Sequence, residues 1–142
     1  MTALEITALK YTTKGHVMNP INCKQAREIL DRAVEKAESM DLRICVAVAD
    51  SGANIVGFLR MDRAFLGSAD VSQRKAKTAV LFQCPTDVFG TVIEQEKLIG
   101  MDQVGGGLMA FGGGLPMMIN GELIGAVGVS GATAAQDKEV AA

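Results

Sequence analysis

The chain has 142 residues, of which 49% are apolar and 21% charged, and its formal net charge is −2. That length suits one domain with a sizeable core, and the balance is that of a globular chain, not a disordered one. The slightly acidic sum argues against general nucleic-acid binding. No apolar run approaches the ~18–20 residues of a membrane span, so no membrane association is expected. The three cysteines, Cys23, Cys45 and Cys84, form no CxxC pair and suggest neither a zinc site nor a disulfide framework. A reduced, cytoplasmic setting is the expectation, and the opening MTALEITALKYTTKGHV has no secretory pattern. With no tryptophan and one tyrosine, an aromatic platform for single-stranded nucleic acid is excluded.

Residues 1–18 show no sustained period and carry the only histidine, His16. They read as an extension that pairs as a short strand or lies over a neighbouring subunit. Asn22 is placed to cap a helix from Cys23 to about Met40, because Ala26, Ile29, Leu30, Ala33, Val34, Ala37 and Met40 recur on one face. Glu28 and Arg32 form an i,i+4 pair on its polar side. Arg43–Ala49 and Asn54–Leu59 read as strands around the turn Asp50-Ser51-Gly52-Ala53. A second helix is predicted from Ser68 to about Gln83, with Asp70 in its first turn and Arg74-Lys75-Ala76-Lys77 on a solvated face. Pro85 ends it, and Thr86 and Asp87 can cap a short helix to about Lys97. A glycine-rich loop at Ile99–Gly107 leads to a predicted strand at Leu108–Phe111.

The C-terminal third holds the strongest local signal. Asn120-Gly121 lies between the apolar runs Leu115–Ile119 and Glu122–Val129, the pattern of a hairpin whose type I′ turn needs φ > 0 at both central residues. Gly112, Gly113 and Gly114 precede the hairpin, and Gly125 and Gly128 interrupt its second strand. Glycines in strands mark bends, bulges or close approach. Thr133 is placed to cap a last helix at Ala134–Ala141. Strands joined by hairpins and segregated helices imply an antiparallel sheet in an α+β fold.

The segments VAVADSGANIVGFLRMDRAFLGSADVSQRKAKTAVLF (Val46–Phe82) and GGGLPMMINGELIGAVGVSGATAAQDKEVA (Gly112–Ala141) resemble the GlcG/HbpS family, which includes the C-terminal domain of PduO-type corrinoid adenosyltransferases. The resemblance runs from Ile21 to the end, which makes residues 1–20 an N-terminal extension and 21–142 one GlcG/HbpS-like domain. It implies a profilin-like α+β fold with a five-stranded antiparallel sheet flanked by helices. It also implies homo-oligomers, from dimers to octamers, and binding of haem or another tetrapyrrole such as a corrinoid. Three roles follow: a cofactor-binding accessory to a catabolic pathway, a non-catalytic scaffold for a diol, glycerol or glycolate enzyme system, or a haem-degrading enzyme.

Haem iron is held by His, Met, Cys or Tyr, so His16 is the natural metal ligand, with Tyr11, Met18 and Met61 as alternatives. Arg60, Asp62 and Arg63 form a charged loop in which an arginine could pair with a haem propionate, or with Asp62 as a structural ion pair. The glycine runs match neither GxGxxG opening a helix nor GxxxxGK[ST], which argues against nucleotide binding. If a ligand pocket exists, the bare surface at Gly113 and Gly114 is expected to form one wall. Ser130 has no histidine near it in sequence, and Glu94, Glu96 and Asp102 form no tight acidic cluster, so no catalytic residue is assigned.

Overall fold

A computed structural model describes the backbone of residues 12–13 and 16–17 and all of residues 20–142. Thr12–Thr13 (β1) pairs antiparallel with His16–Val17 (β2). There follow helix α1 (Cys23–Ser39), strands β3 (Cys45–Asp50) and β4 (Ile55–Arg60), and helices α2 (Leu66–Phe82) and α3 (Thr86–Gln95). A 3-10 turn at Met101–Gly106, strands β5 (Gly114–Ile119) and β6 (Glu122–Ser130), and helix α4 (Ala134–Ala141) complete the order.

Local chemistry sets most boundaries. Asn22 caps α1 by accepting the Gln25 N–H at 2.9 Å, while the Gln25 side chain accepts the Asn22 N–H at 3.0 Å. Thr133 and Gln136 repeat the device at α4. The β3–β4 turn closes because Asp50 Oδ1 accepts from the N–H groups of Gly52 and Asn54, both at 2.9 Å. Asn120 and Gly121 take φ of 49° and 80°, the left-handed pair the β5–β6 hairpin demands.

β3 and β6 are central in a sheet of order β4-β3-β6-β5, antiparallel throughout. The two faces differ in side-chain size. Val46, Val48, Val127 and Val129 meet α1 and α4 on one face. Ala47, Ala49 and Ala126 meet Ala76, Ala79 and Val80 of α2 on the other. Gly128 carries this further: a Cβ there would lie 2.5 Å from Ala76 N and against the Ser72 carbonyl. The close approach expected of the strand glycines is helix to strand at Gly128 and strand to strand at Gly125, where a Cβ would meet the Ala49 carbonyl. Each hairpin also carries a bulge. The register jumps from Met117↔Gly125 to Met118↔Leu123, and from Val48↔Gly57 to Ala49↔Ile55. The extra residues, Ile124 and Val56, pack with the α1 face, and Leu123 and Ile55 turn to the α2 face.

Four sequence expectations are corrected. Among the described residues the main sheet has four strands, not five, because Leu108–Phe111 does not pair in it. That segment bonds to helix side chains instead: Met109 N–H donates to Thr78 Oγ1 at 3.1 Å, and Thr86 Oγ1 donates to the Phe111 carbonyl at 2.6 Å. With its hydroxyl so engaged, Thr86 does not cap α3, whose N-cap is Pro85. Helix α2 starts at Leu66 after Phe65, so Asp70 is past the first turn and pairs with Arg74 at 2.8 Å. Lys75 is not on a solvated face; it is fully buried. Helical geometry puts it in line with Ser72 and Ala79, the stripe that packs on the sheet.

Candidate functional site

Helix α1 has 17 residues and α4 has 8, so they run roughly 25 Å and 12 Å. Both cover the same face of the sheet, and α4 packs on β5 and β6. A groove of about 680 Å³ opens there, within the roughly 300–1,000 Å³ of typical small-molecule sites. Its floor is Leu115, Pro116, Met117 and Val127, and its sides are Ile29 and Ala33 of α1 and Val140 of α4. Lys36 and Glu139 join across it at 3.2 Å. Arg32, one turn before Lys36, lines the groove and has no ion-pair partner among the described residues; the expected Glu28–Arg32 pair does not form. The groove therefore joins an apolar floor to one cation without an ion-pair partner, Arg32, beside the Lys36–Glu139 pair, and Met117 brings a thioether to it.

A second concavity, of about 560 Å³, lies on the other flank of α1, among Val34, Glu38, Arg43, Leu59, Arg60, Met61 and Asp62. It mixes two arginines with two acids. Arg60 makes no ion pair with Asp62; its guanidinium donates to the Ala64 carbonyl at 3.4 Å. Met61 is 8% exposed and belongs to the core, with its N–H on the Ile44 carbonyl at 3.0 Å.

The third feature is a buried polar hub. Lys75 Nζ donates to the Val129 carbonyl at 2.8 Å and to Asp137 Oδ2 at 2.9 Å, and lies 4.7 Å from the centre of the Phe111 ring. Asp137 Oδ1 accepts the Ala132 N–H at 2.9 Å. The hub ties α2, β6, α4 and the 108–114 segment together. Burial holds the Lys75 pKa below 10.5, with Asp137 opposing that shift. Beside it, the Lys138 ammonium meets Asp87 Oδ2 and holds the Asp87 carboxyl below 3.8. Burial raises the thiols of Cys84 and Cys45 above 9.0.

The structure thus places Arg60 and Met61 together and leaves Gly113 and Gly114 elsewhere. A Cβ on Gly113 would lie 2.6 Å from Lys75 Nζ, and one on Gly114 2.6 Å from the Lys75 carbonyl oxygen. The bareness of these two glycines is taken up by α2, and the groove floor begins one residue later, at Leu115. The backbone of His16 is in β2; its side chain, Tyr11 and Met18 lie outside the described residues. Among the described residues no group of three His, Cys, Asp or Glu side chains could hold a metal ion, and no helix is long and apolar enough to cross a membrane. Sequence reasoning missed Arg32, Lys36 and Met117. The one available signal was an i,i+4 pair of cations at the border of the apolar stripe of α1.

The family model described as "Haem degrading protein HbpS-like" matches residues 21–142. The chain is 35% identical over 130 residues to an uncharacterised 15.0 kDa protein of the dhaT–dhaS intergenic region of Citrobacter freundii, covering 90% of this chain and 92% of that one. It is 32% identical over 111 residues to the corrinoid adenosyltransferase PduO of Salmonella typhimurium, covering 77% of this chain and 33% of PduO. Among solved structures, Klebsiella pneumoniae protein ORFY superposes with a TM-score of 0.85 at 31% identity, over 93% of this chain and 92% of that one. The PduOC:haem complex superposes with a TM-score of 0.77 at 30% identity, over 81% of this chain and 85% of that one. The α+β fold, the 21–142 match and these relatives agree, and the chain belongs to the HbpS-like family.

Proposed function

We propose that this protein binds a tetrapyrrole, haem first and a corrinoid as the alternative, and serves a catabolic pathway as a homo-oligomeric accessory protein. The observation that carries the reading is the likeness to the haem-bound PduOC structure at 30% identity. The groove beside β5 supports it. Its apolar floor suits a flat macrocycle, and Arg32, which has no ion-pair partner among the described residues, suits a propionate. Bound there, haem would supply a redox-active iron, which His16 would hold in this proposal. The Arg60 concavity is the second candidate site; two acids beside its two arginines fit an anionic ligand less well. Met61, Gly113 and Gly114 keep packing roles in this reading. Three free thiols suit a reducing, cytoplasmic setting.

Haem titration followed at the Soret band tests the proposal. A saturable band is expected, weakened by Arg32→Ala and shifted or lost in His16→Ala. Loss in Arg60→Ala alone would move the site to the second concavity, and a flat titration at micromolar haem would end the tetrapyrrole reading. The description of the family favours one alternative, haem degradation. It requires loss of bound haem with peroxide faster than in a free-haem blank. A scaffold for a diol, glycerol or glycolate enzyme system would instead show stable self-association without a chromophore.

A further inference from the structure

Helix α2 has a second face turned away from the sheet, on which Asp70 also pairs with Arg74 of its own helix. At 100° per residue, positions 66, 70, 73, 77 and 81 fall within about 80° of arc, opposite the buried Ser72, Lys75, Ala76 and Ala79. Leu66 and Leu81, at the two ends, are 78% and 58% exposed. Asp70 and Lys77, between them, are also exposed. This face has an apolar residue at each end and opposite charges inside.

The pattern is symmetric about the midpoint between Gln73 and Arg74. In two antiparallel copies related by a two-fold axis there, position 66 meets 81 of the other copy, and 70 meets 77. Leucine is then opposite leucine twice, and Asp70 is opposite Lys77 twice. An isologous contact requires such self-complementarity. The apolar area extends past the helix: Phe65, just before Leu66, is 75% exposed. Val104, 54% exposed, lies on the glycine loop whose carbonyls at Gly106 and Gly107 accept from Arg74 of the same helix.

From this we infer that the outer face of α2 is a homodimer interface, in which two copies pack α2 antiparallel with Leu66 on Leu81 and Asp70 on Lys77 of the other copy. The inference rests on the homo-oligomer reading above and gives it a surface. It places assembly on the face of the sheet opposite the groove.

Charge reversal with exchange tests it. Lys77→Glu puts two acids against each other at both crossings, and Asp70→Lys puts two bases there, so each variant should associate about tenfold more weakly. Sedimentation velocity at low micromolar protein reads this as a fall in mass, with unchanged circular dichroism showing that each chain is folded. An equimolar mixture of the two variants should recover the mass, because acidic and basic faces then meet. In a Cys23→Ser background, Leu66→Cys with Leu81→Cys should give a disulfide-linked dimer under mild oxidation. A monomeric wild type would end both this inference and the oligomer reading. An oligomeric wild type whose mass neither reversal changes, or a mixture that stays dissociated, would refute this face and leave the oligomer reading standing.

Discussion

Removing the buried ammonium gives the most demanding test of how the C-terminal helix is held. In Lys75→Met, a side chain of similar length keeps the volume while the Val129 carbonyl loses its 2.8 Å donor and Asp137 its 2.9 Å partner. Asp137 keeps only the Ala132 N–H and is 2% exposed, so a carboxylate is left in the interior with one donor. Breaking one partner of a buried pair costs about 3–5 kcal/mol, which for a chain of this length is a fall in Tm of roughly 10–15 °C. Asp137→Leu alone should lose a comparable amount, because an unpaired ammonium then sits under Phe111. The double variant should lose clearly less than the sum, since no isolated charge remains. Urea denaturation followed by circular dichroism gives all three values. The pH dependence carries a sign. A lysine held below 10.5 contributes stability that is present above that value and lost as pH falls through its folded pKa. Cys45 and Cys84, raised from 9.0, act in the opposite sense, so the slope to read is wild type minus Lys75→Met. A Lys75→Met protein within about 1 kcal/mol of wild type would refute the claim that this pair docks α4.

Other outcomes follow from the same contacts. Gly128→Ala drives a methyl into the Ser72 carbonyl and Ala76 N, and should destabilise by about 3 kcal/mol or more in urea melts. Gly67→Ala, in the first turn of α2 with nothing within 4 Å of the new Cβ, should stabilise by about 0.5–1 kcal/mol. Thr86→Val removes the acceptor of the buried Gly114 N–H at 2.9 Å and should cost about 1–3 kcal/mol by the same measurement. Asp87 sits below 3.8 because Lys138 bonds it, so its stabilisation is present above pH 3.8 and fades as pH falls through the folded value. Lys138→Met should therefore flatten the acid limb of a Tm-against-pH curve, and an unchanged limb would count against the pair.

What the sequence made legible was local. Asn22 and Thr133 cap their helices, and Asn120-Gly121 turns its hairpin, because each acts on backbone groups within three residues. The glycines of β6 were readable as close approach, though not which helix approaches. What was not legible depends on partners far along the chain. Leu108–Phe111 has the composition of a strand, yet its Met109 N–H and Phe111 carbonyl are satisfied by the hydroxyls of Thr78 and Thr86, about 25–31 positions away. Lys75 reads as surface by residue type, and only its place on the small-residue stripe and the distant Asp137 make its burial possible. At the candidate site, Arg60 was chosen for a loop motif, whereas Arg32 lines a groove formed by segments far apart in sequence.

Volume is divided unevenly between the two faces of the sheet. On the α2 face the strands present alanine and glycine, so a 17-residue helix lies flush and leaves no room for a ligand. On the other face valines hold α1 and α4 away from the strands, and any part of that face without a helix becomes a floor with walls. The groove over Leu115 and Met117 is such a part. The ligand-sized groove and the self-complementary stripe of α2 are thus on opposite sides of one rigid sheet. Occupation of the groove need not displace a second copy, and assembly need not close the groove. If the chain holds a flat molecule and associates with itself as proposed, the uneven distribution of valine and alanine across β3 and β6 keeps those tasks apart.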